Sequence, residues 1–207
     1  MFYKIDEEVF FNQNVYIKKV DLEGLEGEDT YFLDKLNDDE LKALGFARVS
    51  EQELPSFDEK TQDLIREEGL DESSNTFHIR YRVQEKSLDA LKEIKLDEIR
   101  AKRDEALESG IVYNEHTFQT SQKDKLNING AVTNLMLDMQ SRSGSIKEIV
   151  WIDIEDKKVI FTPQEFLQFA AAVAYNTQEI TFKANALKEK VEQAISKEEL
   201  EGVKWEI

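Results

Sequence analysis

The stretch GIVYNEHTFQTS, residues 110–121, sets His116 between two short apolar-aromatic pieces. The 207-residue chain has only one other histidine, His78, so His116 is the first side chain to weigh as a metal ligand or general base. Neither histidine has an HxxxH or HExxH neighbour, and a histidine-based metal site lacks its second ligand. The acid clusters DLEGLEGED, NDDE and DIEDKK do not have the alternate-oxygen spacing, central glycine and final glutamate of a calcium loop, and read as solvated loops. Eight scattered glycines form no phosphate-cradling loop, and the absence of cysteine excludes disulfides, thiolate zinc sites and cysteine nucleophiles. Arg80 and Arg82 share one face of a strand pattern, where the abundant local acids are their expected partners. The sequence therefore assigns no catalytic, cofactor-binding or metal-ligating residue, and His116 is expected to close a hairpin by donating to a neighbouring carbonyl.

The charge narrows the partners. The chain carries a net −17, and the excess sits mainly in residues 1–85, which hold 22 acids against 10 bases. Nucleic acid needs a basic footprint that is missing here, and anionic membranes are excluded on the same ground. The longest apolar run, FAAAVAY at 169–175, is far short of the roughly 20 residues of a membrane-spanning helix. The start MFYKIDEEVFF lacks the apolar core of a secretion signal, which places the expected protein in a cytoplasm or in a particle assembled there.

The elements that position these residues follow from period and caps. VFF and VYIKKV, joined by Asn-Gln-Asn, read as a hairpin over 9–24. LNDDELKALGF has the N-cap Asn37, Glu40 three residues on and Gly45 at the C-terminal end: a two-turn helix. Residues 50–75 read as loop with a helical piece around Leu64 and Ile65, and TFHIRYRV alternates as a strand with Phe77, Ile79, Tyr81 and Val83 on one face. From Ser87 the period becomes helical up to Gly110, with Leu88, Leu91, Ile94, Leu96, Ile99 and Leu107 apolar, and a second helix runs from the cap Ser121 with the stripe Ile128, Val132, Leu135 and Met139. IKEIVWIDIEDKKVIFT reads as a second hairpin anchored by Trp151 and Phe161.

A last helix opens on Thr162, Pro163 and Glu165, a cap, a first-turn proline and a capping-box glutamate. Phe166, Ala170, Val173, Thr177, Ile180, Ala184, Leu187, Val191 and Ala194 then recur at steps of four and three. This seam predicts lengthwise packing against the two preceding helices; the alternative is that part of it faces another copy, giving a homo-oligomer. The expected architecture is α+β: a small β-containing N-terminal unit, residues 1–85, followed by a mostly helical, three-helix C-terminal domain with two short hairpins, residues 86–207.

The second part also carries a family pattern. Ile99, Arg103, Asp104 and Leu107 give I-x-x-x-R-D-x-x-L; Gly110, Tyr113, Asn114, His116, Phe118 and Thr120 give the first hairpin; Ile128, Gly130 and Ala131 give I-x-G-A. Trp151 and Thr162 frame the second hairpin, and Ala184, Leu187 and Lys188 give A-x-x-L-K. Over about residues 95–195 the chain resembles a C-terminal domain of unknown function found in tail and tail-fibre-assembly proteins of tailed bacteriophages. It departs from that pattern at the turn, Asn114-Glu115 where relatives often have Asn-Gly. The first 70 residues resemble no family. The resemblance carries no catalytic residues, and implies a protein-binding role rather than an enzyme: an assembly chaperone for the phage tail fibre, acting in the host cytoplasm. The alternatives are a structural virion part joining baseplate to fibre and, as a distant third, an enzyme acting on polysaccharide.

Overall fold

The computed structural model of the chain describes residues 1–22 and 25–206, which divide into two compact units, Met1–Lys86 and Ser87–Ile207. The first unit is built on a curled five-stranded sheet of order β2-β1-β5-β7-β6, with β1 Phe2–Lys4, β2 Val9–Phe11, β5 Phe46–Glu51, β6 Gln62–Asp71 and β7 Thr76–Glu85. Only the β5–β7 pair is parallel. A separate two-stranded ribbon, β3 Val15–Leu22 with β4 Leu25–Phe32, leads to α1, Asp38–Ala43, whose Asn37 and Glu40 form the capping box. Phe2, Leu33, Leu41 and Phe46 pack with Tyr16 and Tyr31 on one side of the sheet, while Ala47, Phe77 and Ile79 pack with Tyr3 and Val49 on the other. Alternation explains this, because Phe46 and Ala47 are adjacent in one strand and must point opposite ways.

Two expectations for this unit fail. The VFF and VYIKKV runs are strands, but not of one hairpin: β2 folds back on β1 across a turn where Glu8 takes a φ of 54°, and β3 pairs with β4. Asn-Gln-Asn therefore joins two pairings instead of closing one. Glu23 and Gly24, which belong to that predicted hairpin and to the acid cluster at 21–29, lie outside the described residues. The segment read as loop with a helical piece is in fact the ten-residue strand β6, paired antiparallel along all of β7. It is the last strand of the sheet, and its Asp63, Arg66, Glu67 and Glu68 are the charges expected on an outer strand, where they discourage further pairing and mask the period. The unit is thus a substantial sheet, not a small β-containing piece.

The second unit consists of α2 (Leu88–Glu108), β8 (Ile111–Tyr113), β9 (His116–Phe118), α3 (Gln122–Gln140), β10 (Ile149–Ile152), β11 (Lys158–Phe161), α4 (Pro163–Gln193) and α5 (Lys197–Glu201). The caps sit where the sequence puts them: Ser87 accepts from Ala90 N–H, and Ser121 with Asp124 and Thr162 with Glu165 form capping boxes. Gly110 ends the α2 connection at a φ of 96°, and a Cβ there would stand 2.7 Å from the Phe118 carbonyl oxygen, so only glycine fits. Buried Thr120 clasps the same corner, accepting from Gly110 N–H and donating to the Leu107 carbonyl.

The three-helix bundle is also corrected. The seam of α4 is divided between two cores. Phe166 and Val173 of the seam, with Phe169 beside it, join Phe118, Phe161, Ile128 and Leu135 from the hairpins and α3. Ala184, Leu187 and Val191 join Leu91, Leu96 and Ile99 of α2, with Leu200 and Val203 behind them. The changeover falls at Thr177 and Thr181, whose hydroxyls donate to the carbonyls of Val173 and Thr177 on their own helix. A 31-residue helix extends about 46 Å, longer than one small core, so it serves two. Met139, predicted in the α3 stripe, is 59% exposed near the helix end. Trp205 folds back onto the α2–α4 core.

Candidate functional site

Strands β8 and β9 turn through Asn114 and Glu115, both with positive φ (47° and 67°), the conformation of a type I′ turn. The pair Asn-Gly suits this geometry better than Asn-Glu. Glu115→Gly is expected to stabilise the unit by about 0.5–1 kcal/mol, read as a higher midpoint in chemical denaturation.

His116 starts β9 beside this turn, and its partner is not the carbonyl expected from sequence. Nδ1 lies 2.8 Å from Oδ2 of Asp153, a carboxylate buried at the end of β10. An ionised carboxylate only accepts, so Nδ1 is the donor of this pair. The other oxygen, Oδ1, accepts from the backbone N–H groups of Glu155 and Lys157, which winds the Asp-Lys-Lys loop around it. A backbone bond from Ile154 N–H to the Thr117 carbonyl completes the junction. The His116–Asp153 pair is a stitch between the two hairpin tips. The hydrogen bond from His116, followed by those from Lys157 and Glu155, holds the Asp153 carboxyl below its usual pKa against the opposing effect of burial.

A depressed carboxyl stabilises the fold at pH above its unfolded value of about 4, and that contribution is lost as pH falls through the lower folded value. Asp153→Asn should therefore lower the melting temperature by a few degrees at neutral pH and flatten its decline below pH of about 4. His116→Gln should do less, because Oδ1 keeps both backbone donors. A melting curve series across pH checks both.

The junction leaves an unusual outer surface. Ile149, Trp151, Val159 and Phe161 turn inward, Trp151 lying 5.1 Å from the Phe166 ring. The alternate residues Val150, Ile152 and Ile160 are 48%, 54% and 63% exposed, and Val150 faces Ile160 directly across the ladder. Ile154 and Val112 of the adjoining tips are exposed as well. Among the described residues β10 and β11 pair only with each other. The inner face of the hairpin is apolar, and so is the outer, solvent-facing one apart from Lys158, which stands across from Ile152. Water gains from covering such a patch, and isolated surface leucines and valines do not explain five β-branched residues on two adjoining hairpins.

The other residues singled out by type lie in the first unit. Arg82 pairs with Glu67 at 3.1 Å, as its sequence neighbours suggested. Arg80 and His78 line a shallow hollow beside Gly69 with Glu67, Glu68 and Asp71, and among the described residues no carboxylate comes within ion-pair distance of Arg80. His78 and His116 thus belong to different units. Among the described residues no group of three or more histidines and acids could hold a metal ion, and no helix is long and apolar enough to cross a membrane. Sequence reading missed Asp153, placing it in a solvated loop; an aspartate at the first loop position, ahead of free N–H groups, was the available signal.

With this geometry in place, the comparison with known families is decisive for the second unit. A family model described as a domain of unknown function, DUF4376, matches residues 90–204. The chain belongs to that family. No curated protein and no solved structure matches it. The DUF4376 match begins in the first turn of α2 and runs to the residue before Trp205, so it contains both hairpins, the His116–Asp153 stitch, the exposed hairpin face and both cores of α4.

Proposed function

We propose that this DUF4376 protein is a tail-fibre assembly protein of a tailed bacteriophage or prophage, a chaperone that works by protein–protein binding in the cytoplasm of the bacterial host rather than by catalysis. The observation that carries the reading is the outer face of the β10–β11 hairpin. Val150, Ile152, Ile154 and Ile160 offer an apolar, β-branched surface on a rigidly cored ribbon, suited to hold an incompletely assembled fibre segment whose own apolar strands await partners. The resemblance to phage tail proteins over about residues 95–195 supports a tail-fibre protein as the client. No metal, nucleotide or covalent step enters this role.

A second reading has its own observation. Tyr175 and Phe182, seven residues apart on one side of α4, are 63% and 57% exposed outside the buried seam. They favour a permanent virion part, an adaptor between baseplate and fibre that associates with another copy along α4. Mass spectrometry of purified particles, beside capture from infected-cell lysate with the tagged protein, separates the two. The chaperone retrieves a fibre protein and is missing from particles; presence in particles at fixed copy number replaces it with the adaptor.

A further inference from the structure

The C-terminal tail, which crosses the core between α2 and α4, bounds a cleft of about 580 Å³ within the second unit. Its floor is apolar: Ile99 and Val203 are almost fully buried beneath it, and Ala101 and the Trp205 indole complete it. Its rim is cationic, with Lys95 and Lys102 on the α2 wall and Lys204 on the tail wall, against a single lining acid, Glu98. In a chain of net charge −17 this is a local reversal of sign. Lys95 donates to Glu98 at 3.1 Å and Lys102 to Glu105 at 2.7 Å, whereas Lys204 has no ion-pair partner among the described residues. Lys183 stands over the Trp205 ring, 5.1 Å from its centroid, and donates to the Glu206 carbonyl, which fixes the tail as a wall.

We propose that this cleft binds a small amphipathic anion, an apolar chain or ring bearing one carboxylate or sulfonate. The volume lies in the range of small-ligand sites, and the lining pairs an apolar floor with charged groups that can set orientation. The apolar body displaces water from Ile99, Val203 and Trp205. The head group meets Lys204, which has no ion-pair partner among the described residues, and Lys95, whose side chain is only 23% exposed and so acts in a less screened setting than an open surface lysine. Cationic amphiphiles are rejected by the same rim. The inference concerns a site separate from the hairpin face and stands independently of the chaperone reading.

The test is titration of the full chain with anilinonaphthalene sulfonate, followed by dye emission and by energy transfer from tryptophan. The expected result is one saturable site from which dodecanoate displaces the dye. Exchanging Lys95, Lys102 and Lys204 together for glutamine should weaken the dye by about tenfold or more, while the uncharged analogue phenylnaphthylamine binds both proteins equally. Lys102 and Lys204 are exposed and glutamine keeps most of the aliphatic stem of the half-buried Lys95, so the variant should keep its thermal transition; the single exchange Lys204→Glu gives the same comparison if it does not. Trp205→Phe should keep binding and cut the energy transfer. Dye affinity unchanged by the lysine exchanges, failure of dodecanoate to compete, or absence of saturable binding would each overturn the site. The exchange Ile152→Lys, on the exposed hairpin face, should leave the dye in place; loss of binding there would assign the dye to the hairpin and refute the cleft.

Discussion

Leu187→Asp should abolish the cooperative helical unfolding transition of the Ser87–Ile207 unit. Leu187 is 8% exposed and packs in the core that α4 shares with Leu91, Leu96 and Ile99 of α2 and with Leu200 and Val203. Removing the leucine forfeits about 2–3 kcal/mol of apolar burial, and an unpaired carboxylate in its place adds a desolvation cost of several kcal/mol more. Domain stabilities are about 5–15 kcal/mol, so the sum consumes most or all of the margin. Leu187→Met, close in volume, should cost less than about 1.5 kcal/mol. Far-UV circular dichroism during heating makes the comparison, and an aspartate variant that melts with the wild type would remove Leu187 from the buried seam.

Phe169→Ala has the second-largest effect, in the other core. The ring is fully buried and meets four others, Phe118 at 4.6 Å, Phe161 at 5.4 Å, Tyr113 at 5.5 Å and Phe166 at 5.7 Å between centroids. Truncation leaves a cavity whose walls are rigid aromatics from two hairpins and a helix, with little room to collapse, and should cost about 3–5 kcal/mol. The two positions are 18 residues apart on one helix, about 27 Å. Milder exchanges at each, Phe169→Leu and Leu187→Val, should therefore add to within about 0.5 kcal/mol in a denaturation double-mutant cycle. The additivity follows from that separation and from the absence of a shared packing partner between the two cores.

What could be read from sequence was what the chain decides locally. The capping boxes at Asn37, Ser121 and Thr162 involve residues three apart, and each is present. The alternation of TFHIRYRV gave β7, and the polar tips gave both C-terminal hairpins. Pairing is a different kind of information. VFF and VYIKKV are both strands, yet each finds its partner elsewhere, and β6 hid because an outer strand laden with charge has no clean period. The seam of α4 says which side is buried and nothing of what buries it, so a single helix serving two cores read as one bundle. The composition held a trace of the division: the first half of the helix has Phe166 and Phe169, the second has Ala184, Leu187 and Val191. The His116–Asp153 stitch spans 37 residues of sequence and was beyond any local rule. Lys4 shows the same limit, a buried ammonium that donates to the Leu44 carbonyl between the rings of Tyr16 and Phe46, at 4.7 and 4.5 Å.

The hairpin face is the part of the account on which function turns. A surface exchange at Ile152 and Ile160 to lysine removes apolar area from solvent-facing positions and should change stability by no more than about 0.5–1 kcal/mol. The most direct measurement is whether a tail-fibre protein, the proposed client, is captured from infected cells by the tagged wild type and by the Ile152→Lys, Ile160→Lys double variant, side by side and with melting curves for both. The account predicts that the wild type retains the fibre protein and that the double variant, folded to the same temperature, does not. Equal retention by the two proteins would contradict it.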